Sequence, residues 1–269
     1  MLLETRVPFP GTNADTYKGG LYMISKEQEE YTTGDEGVEW LVNESFDNTD
    51  GHMGKSSISG VEIPHKKGQY THKRYYLSSW LPKAITYLLP KKLSYIEEES
   101  WNCNPYGLTV STNPFLTKFK LIIESNNIED NGNTENALFL NEDELKEREV
   151  ILIDFMNSEI DSKEFNSITE FHNNNTDISP LSKTWMNSTQ PISCCYRITK
   201  LIVPYFGIET IAKSILRKKQ VELLISHARK MWINQKEWNK LTMEDIRDIE
   251  KKQMDQVNSK LHVSEKSSQ

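Results

Sequence analysis

A stretch of nine residues, 68–76, places a hydroxyl and an ammonium group at a spacing that suits ligand binding. It is rich in Tyr and Thr, which favour a β-strand. A strand points successive side chains to opposite faces, so one face here is mostly polar. That face carries Gln69, Thr71, Lys73 and Tyr75. Thr71 and Lys73 together could bind a phosphate or a polyol, although a solvent-exposed sheet face with ordinary strand residues explains the same pattern.

Three further polar placements have the same two interpretations. Strand parity puts Thr109 and Ser111 on one face of a second strand, and Arg197 and Thr199 on one face of a third. On the last predicted helix, Glu250 falls on an otherwise mostly apolar stripe, where a carboxylate requires a partner or a ligand. The other members of that stripe are Ile246, Gln253 and Val257. Each placement, taken singly, also has an ordinary explanation. Hydroxyl side chains are common in sheets, and an exposed Arg197 or a Glu250 at the edge of its stripe would account for the other two.

Composition narrows the class of protein. The chain has 269 residues, 36% of them hydrophobic, which suffices for one large domain or two small ones. Its net charge of −7 disfavours a sequence-independent nucleic-acid binder and permanent adhesion to anionic membranes. No apolar run has the length that crosses a bilayer. The three cysteines, Cys103, Cys194 and Cys195, do not make a paired framework, which predicts a reducing, cytoplasmic location.

Hydrophobic periodicity predicts strands over most of the chain and helices towards its end. Strands are predicted at 2–8, 37–46, 68–77, 106–112, 118–125, 150–156 and 193–203, and helices at 12–29, 80–89, 142–149, 208–232 and 242–257. This order predicts an α+β fold built on an antiparallel sheet. The longest helix is predicted to bury a stripe formed by Ile208, Ile211, Ala212, Ile215, Val221, Leu224, Ile225, Ala228 and Trp232. The irregular segment 157–183 is expected to be functional or disordered.

No motif for covalent chemistry is present. The sequence has no glycine-rich phosphate loop, no zinc-spaced set of Cys and His residues and no nucleophile elbow. The adjacent acidic residues 97–99 are most simply a solvated face. The chain is therefore not expected to be an enzyme, and neither a metal nor a cofactor is predicted.

The turn after the last strand carries two aromatic residues. Tyr205 and Phe206 lie between Pro204 and Gly207. Aromatic rings at a turn tip suit insertion into a membrane interface. Packing under the following helix is an equally good interpretation.

Six stretches, in order and over nearly the whole chain, resemble the single-domain class I phosphatidylinositol transfer proteins. They are Gly37–Glu44, Gly68–Lys73, Trp101-Asn102 with Pro105-Tyr106, Thr109 with Thr112-Asn113, Cys194 with Tyr196, and Leu241–Arg247. The resemblance implies a START-like, helix-grip fold: a concave, mostly antiparallel sheet with long helices that enclose one phospholipid. It further implies a lipid-transfer domain over 1–258 with a regulatory loop at about 157–183, a C-terminal helix as lid, and a flexible tail over 259–269.

The resemblance also assigns roles to individual residues. It implies that Thr71, Lys73, Asn102 and Glu250 hold an inositol head group. It implies that Thr109, Ser125 and Arg197 line the phosphate region, that Tyr205 and Phe206 insert into the membrane, and that Ser167 is a candidate for phosphorylation. Such a carrier needs no covalent chemistry, and its bound phospholipid is cargo rather than a cofactor.

Several positions depart from the family pattern. Gly20 replaces a Gln that contacts the phosphate region, and Gly107 replaces a Cys, so thiol sensitivity there is expected to be absent. Ser125 and Arg197 stand for Thr and Lys, which preserves the chemistry. The segment 50–66 is a longer insertion than usual, and the basic residues expected after Ser167 are missing.

These features predict a cytoplasmic, transiently membrane-associated monomer that exchanges phosphatidylinositol, and also phosphatidylcholine, between membranes. One rival is a sensor that presents its lipid to a phosphoinositide kinase. Another is a carrier of a sterol, ceramide or phosphatidic acid in the same cavity. An enzyme on a helix-grip sheet is the least favoured, because no nucleophile–base pair is visible in the sequence.

Overall fold

The computed structural model describes residues 1–34, 36–76, 95–158, 160, 181–205 and 209–261. The named elements in chain order are β1 (Leu2–Pro10), α1 (Asn13–Tyr31), β2 (Gly37–Asp47), β3 (Lys67–Tyr76), β4 (Tyr95–Cys103), β5 (Tyr106–Thr112), β6 (Lys120–Ile128), α2 (Glu142–Glu147), β7 (Glu149–Leu152), α3 (Trp185–Ser188), β8 (Ile192–Ile202), α4 (Glu209–Ile233), α5 (Gln235–Trp238) and α6 (Met243–Lys260). The predicted helix at 80–89 and the predicted loop over most of 157–183 lie outside the described residues.

The eight named strands form one sheet in the order β2-β3-β4-β5-β6-β8-β1-β7. Every neighbouring pair is antiparallel except β1 and β7, which are parallel. The predicted α+β class with a mostly antiparallel sheet is confirmed. The strand predicted at 150–156 is shorter than expected and ends at Leu152, where the chain leaves the edge of the sheet.

Side-chain caps fix the starts of the two helices that flank the sheet's ends. Thr12 accepts a hydrogen bond from the Asp15 backbone and begins α1. Thr242 and Asp245 form a capping box at the start of α6, in which each side chain accepts a hydrogen bond from the backbone amide of the other residue. The last helix continues to Lys260, beyond the predicted end near 257.

The main core lies between the sheet and helices α1, α3, α4 and α6. Its largest fully buried members include Trp185, Phe155 and Ile246. The stripe predicted for the longest helix is buried only in its second half, at Leu224, Ile225 and Ala228, with Val221 and Trp232 packed against the core. Ile211 is 53% exposed, so its predicted burial is wrong, and Ile208 lies outside the described residues. The first turns of α4 therefore carry apolar side chains that the described core does not cover.

The insertion between β2 and β3 packs on the outer face of the sheet, opposite the face that carries Lys73. Ile63 joins a small core there with Trp101, Leu108 and Val110. The buried Glu99 carboxylate accepts hydrogen bonds from the Ser56 hydroxyl at 2.6 Å, the Ser59 backbone amide at 3.1 Å and the Tyr70 hydroxyl at 2.9 Å. The insertion thus covers apolar surface of β3, β4 and β5 that would otherwise face water.

Two adjacent glycines of α1 are expected to respond oppositely to alanine. A Cβ at Gly19 would lie 2.9 Å from the buried Trp238 ring, whereas a Cβ at Gly20 would meet nothing within 4 Å. Gly20→Ala should raise the free energy of unfolding by about 0.5–1 kcal/mol, because alanine restricts the unfolded chain and favours helix. Gly19→Ala should lower it by about 1–3 kcal/mol through overpacking. Urea unfolding monitored by circular dichroism measures both, and equal effects of the two changes would contradict the packing seen at Trp238.

Candidate functional site

The six predicted site residues on strands all lie on one face of the sheet, which we call the inner face. Cross-strand pairing places them in rows, and side chains of paired residues point to the same side. One row runs from Thr71 through Ser100 to Thr109. A second runs from Asn102 through Gly107 and Ser125 to Arg197, and a third pairs Lys73 with Glu98. The parity predicted from sequence is therefore confirmed, and the sheet brings together residues that are far apart in the chain.

Lys73 is the central buried charge of the inner face. Its side chain lies under the docked α6, and the residue is 6% exposed. Its ammonium nitrogen is 3.7 Å from the centroid of the Trp40 ring. Burial lowers the pKa of the ammonium, and the charges of Glu98 and Glu250 oppose that shift. The ammonium thus lies over an aromatic face, and the negative charges of two carboxylates act on it; an additional polar ligand would be favourable in this place.

Glu98 is part of a hydrogen-bonded chain that reaches helix α1. The Tyr75 hydroxyl donates to Glu98 Oε1 at 3.0 Å, and Gln28 Nε2 donates to the Tyr75 oxygen at 3.1 Å. Burial raises the pKa of Glu98, while Lys73 and the Tyr75 hydroxyl act in the opposite direction. This chain gives the inner face a second polar group that can accept hydrogen bonds from a ligand.

The three adjacent carboxylates of β4 do not form a solvated face, so that prediction is wrong. Glu97 accepts a hydrogen bond from Arg74 at 3.0 Å on the outer face. Glu98 faces inward and contacts Tyr75, and Glu99 is buried under the insertion. Each carboxylate finds its partner on another strand or loop, and such pairings are not visible in a local run of acidic residues.

Glu250 lies on the buried side of α6, as its place on the stripe predicts. It is 4% exposed, and Ile246, Gln253 and Val257 are buried on the same side. Arg247 Nη1 donates to Glu250 Oε2 at 2.6 Å. The carboxylate therefore has a cationic partner one turn earlier and still contributes negative charge at Lys73.

Two of the three hydroxyls in the row from Thr71 to Thr109 are hydrogen-bonded to each other. Thr71 is buried, and the hydroxyls of Ser100 and Thr109 are hydrogen-bonded to each other at 2.8 Å. Hydroxyls rotate freely enough to exchange such a bond for one to a ligand. Thr109 is thus within the same polar region as Thr71, although its hydroxyl already has a partner.

A cleft of about 180 Å³ lies between α1, α4 and the inner face. Its polar lining includes Asn102, Ser125, Arg197 and Cys195, and its apolar lining includes Leu21, Leu224 and Met231. Gly20 and Gly107 also line it. The described lining does not include Thr71, Lys73, Thr109 or Glu250. The predicted site therefore consists of two groups, one around Lys73 and one around Arg197.

The Arg197 guanidinium has an unused donor. Its Nε atom is buried and has no hydrogen-bond partner among the residues that the structure describes. A buried donor without an acceptor is costly unless a ligand supplies one. Cys195 lies beside it, and burial raises the pKa of that thiol, so it remains protonated near neutral pH. The cleft thus offers a cationic donor and no competing thiolate.

Two of the remaining predicted residues lie outside the described part of the chain, namely Phe206 and Ser167. Tyr205 is half-buried, and its hydroxyl oxygen accepts a hydrogen bond from the Lys118 backbone at 3.1 Å. This contact fixes the tyrosine against the turn that precedes β6. The predicted membrane role of the aromatic pair stays a prediction.

Sequence reasoning missed three residues of the polar region: Trp40, Glu98 and Arg247. The sequence held a signal for two of them. Trp40 stands on the predicted β2 strand, and its pairing with Lys73 follows once the register is known. Arg247 stands three residues before Glu250, a spacing that brings side chains together on a helix. Glu98 lies between Glu97 and Glu99, and the three together have the pattern of a solvated acidic run.

The described residues contain neither a candidate membrane span nor a candidate metal site. No described helix is long and apolar enough to span a membrane. No group of three or more His, Cys, Asp or Glu residues in the described ranges is placed to hold a metal ion.

Comparisons with known proteins agree on one family. Residues 1–255 match the family model described as phosphatidylinositol transfer protein. The chain is 34% identical over 267 residues to phosphatidylinositol transfer protein 1 of Dictyostelium discoideum, which covers 97% of this chain and 96% of that protein. It is 32% identical to cytoplasmic phosphatidylinositol transfer protein 1 of Drosophila melanogaster, over 97% of this chain and 92% of the relative. The human cytoplasmic phosphatidylinositol transfer protein 1 is 34% identical over 98% of this chain and 75% of its own length.

Proposed function

The chain belongs to the phosphatidylinositol transfer protein family, and on that premise we propose that it carries one phospholipid at a time between membranes. Its proposed cargo is phosphatidylinositol, and also phosphatidylcholine. The proposed carrier is a cytoplasmic monomer with a transfer domain over 1–258 and a tail over 259–269. The observation that carries the proposal is the buried, charged inner face of the sheet beneath α6.

The polar group around Lys73 suits a ring that bears several hydroxyls. Thr71, Lys73, Asn102 and Glu250 are the proposed inositol contacts. An ammonium supplies donors, a carboxylate supplies acceptors, and a hydroxyl or an amide supplies both. Because Thr71, Lys73 and Glu250 are buried and Asn102 lines the adjoining cleft, a bound ring that matches them is favoured, and a head group that leaves them unpaired is penalised. Selection of the head group would then depend on a few contacts in a water-poor site.

The group around Arg197 suits the phosphate that joins the head group to glycerol. The unpartnered Arg197 Nε supports this role, because guanidinium groups bind phosphate oxygens with two parallel hydrogen bonds. Ser125 lies opposite Arg197 in the sheet register, and Thr109 lies on the neighbouring strand. Gly20 lines the cleft, and no described atom lies within 4 Å of the position that its Cβ would take. No other described contact therefore replaces the glutamine side chain that the family pattern has at this position.

The apolar lining of the cleft suits the first methylenes of an acyl chain. Burial of each methylene contributes roughly 0.8 kcal/mol, which favours removal of a lipid into an apolar cavity. In the proposed cycle, the turn at Tyr205 and Phe206 enters the bilayer interface and α6 loosens from the sheet. The bound lipid exchanges with one from the bilayer, and α6 returns. Ser167 remains the proposed phosphorylation site, and a phosphoinositide kinase the proposed consumer of the delivered lipid.

The experiment that tests this proposal is native mass spectrometry of the purified protein, followed by identification of the extracted lipid. We expect one phospholipid per chain that exchanges for phosphatidylinositol supplied in vesicles. A protein that arrives empty and does not take up inositol lipids would contradict the proposal. A co-purified sterol or ceramide would support the cavity and contradict the assigned head group.

A further inference from the structure

Trp40 connects two parts of the molecule that the proposed function uses separately. The residue is 3% exposed and stands on β2, the edge strand of the sheet next to β3. Its ring contacts the head-group lysine, and its backbone is held by the last helix.

The ring of Trp40 positions the Lys73 ammonium. Trp40 and Lys73 are directly opposite in the sheet register, and the ammonium lies 3.7 Å from the ring centroid. Among the described residues, the ammonium makes no hydrogen bond or ion pair that competes with this contact. A cation over an indole face is stabilised by the ring quadrupole, most strongly where water is excluded. The indole ring therefore fixes the position of the ammonium on the inner face.

The backbone of Trp40 is held by Asn258 of α6. Asn258 Nδ2 donates to the Trp40 carbonyl at 2.8 Å, and the Trp40 amide donates to Asn258 Oδ1 at 2.8 Å. The β2–β3 register shifts between Trp40 and Val42, so the strand bulges next to this contact. An edge strand has backbone groups open on one side, and here the asparagine amide pairs with them as a neighbouring strand would.

We propose that Trp40 is a positioning residue for selection of the inositol head group, and that it acts through Lys73 only while α6 is docked. This inference rests on the proposed function. When Asn258 leaves β2, the bulged segment loses the two hydrogen bonds that fix Trp40. The Trp40 ring then no longer holds the Lys73 ammonium in one position. Head-group selection would then operate in the closed protein and relax as the helix leaves, which allows the lipid to be released to a membrane.

The test compares Trp40→Leu with Trp40→Phe in vesicle transfer assays that use phosphatidylinositol and phosphatidylcholine in parallel. Leucine keeps an apolar side chain in the cluster with Val38 and Val257 but removes the ring. We expect Trp40→Leu to lower the ratio of inositol-lipid to choline-lipid transfer by about tenfold. Phenylalanine keeps a ring face, so Trp40→Phe should retain most of the ratio. A loss of both lipids in equal proportion would mean that Trp40 only packs, and would overturn the inference.

A double-mutant cycle with Lys73→Met tests whether the ring acts through the lysine. On the Lys73→Met background, Trp40→Leu should have little further effect on inositol-lipid transfer. Full additivity of the two changes would contradict the inference. This measurement uses inositol lipid alone, and circular dichroism of each variant verifies that it is folded.

Asn258→Ala tests the part played by the helix. It should shift the transfer ratio in the same direction as Trp40→Leu, by several-fold. Ser259→Ala is the matched control, because the exposed Ser259 hydroxyl donates only to the Gln256 carbonyl of its own helix. An unchanged ratio in Asn258→Ala would remove α6 from the inference. If the wild-type protein transfers no inositol lipid, the proposed function fails instead, and the two failures are thereby distinguished.

Discussion

Lys73→Ala is expected to lower transfer of inositol lipids by about 10- to 100-fold while it changes transfer of choline lipids by less than about twofold. The range corresponds to the loss of a buried hydrogen bond from a charged donor, about 1.5–3 kcal/mol. A choline head group has no hydroxyls for the ammonium to contact, so its binding does not use this donor. Vesicle-to-vesicle transfer of the two lipids under identical conditions measures the effect.

Lys67→Ala provides the control for that measurement. Lys67 begins the same strand but is exposed, so its removal should leave both transfer rates unchanged. Glu250→Ala should reproduce the selective loss, because it removes a proposed inositol contact whose negative charge acts on the ammonium. If Lys73→Ala lowers transfer of both lipids equally, the lysine supports the fold rather than the head group, and the assigned role is wrong.

Arg229→Met is expected to lower the free energy of unfolding by about 3 kcal/mol or more. Arg229 is fully buried on α4, and its guanidinium donates to the carbonyl of Phe155 at 2.6 Å and to the carbonyl of Ser158. Methionine fills much of the volume but removes the donor to the buried Phe155 carbonyl and to the partly buried Ser158 carbonyl, and a buried acceptor without a donor costs about 1–3 kcal/mol. Thermal or urea unfolding of the two proteins measures the difference.

Arg217→Met is the matched control on the same helix. Arg217 is exposed and pairs with Glu149, and ion pairs of that kind contribute about 0–1 kcal/mol. We expect a change of that size or less in the unfolding free energy. A comparable loss in both variants would show that arginine at any position on α4 matters equally, and would contradict the special role of the buried one.

The fold and much of the candidate site could be predicted from the sequence because they depend on short-range patterns. Strand parity placed Thr71 with Lys73 and Thr109 with Ser111 on single faces, and helical periodicity placed Glu250 on the buried side of its helix. These inferences need only the repeat of two residues in a strand or 3.6 in a helix. The register of neighbouring strands then brought the separate faces together.

The errors arose where a side chain finds its partner across the fold. Residues 97–99 look solvated as a run, yet each carboxylate is paired through another strand or the insertion. Ile211 fits an apolar stripe, yet the stripe first reaches the described core about three turns later, at Val221. The contact between Lys73 and Trp40 could be predicted only from the strand register, which no local pattern supplies.

The pair of hydrogen bonds between Asn258 and the Trp40 backbone has a consequence beyond lipid selection. A sheet edge with open amide and carbonyl groups is a template on which the same edge of a second molecule can pair, and such pairing leads to aggregation. The opposite edge strand, β7, spans only four residues and offers little to such pairing. On β2, α6 covers the strand beside its bulge, so in the proposed cycle each opening of the helix would also expose unpaired backbone groups of that edge. Fast reclosure of the helix would therefore protect solubility as well as cargo, and opening at a membrane rather than in solution would keep two open molecules apart.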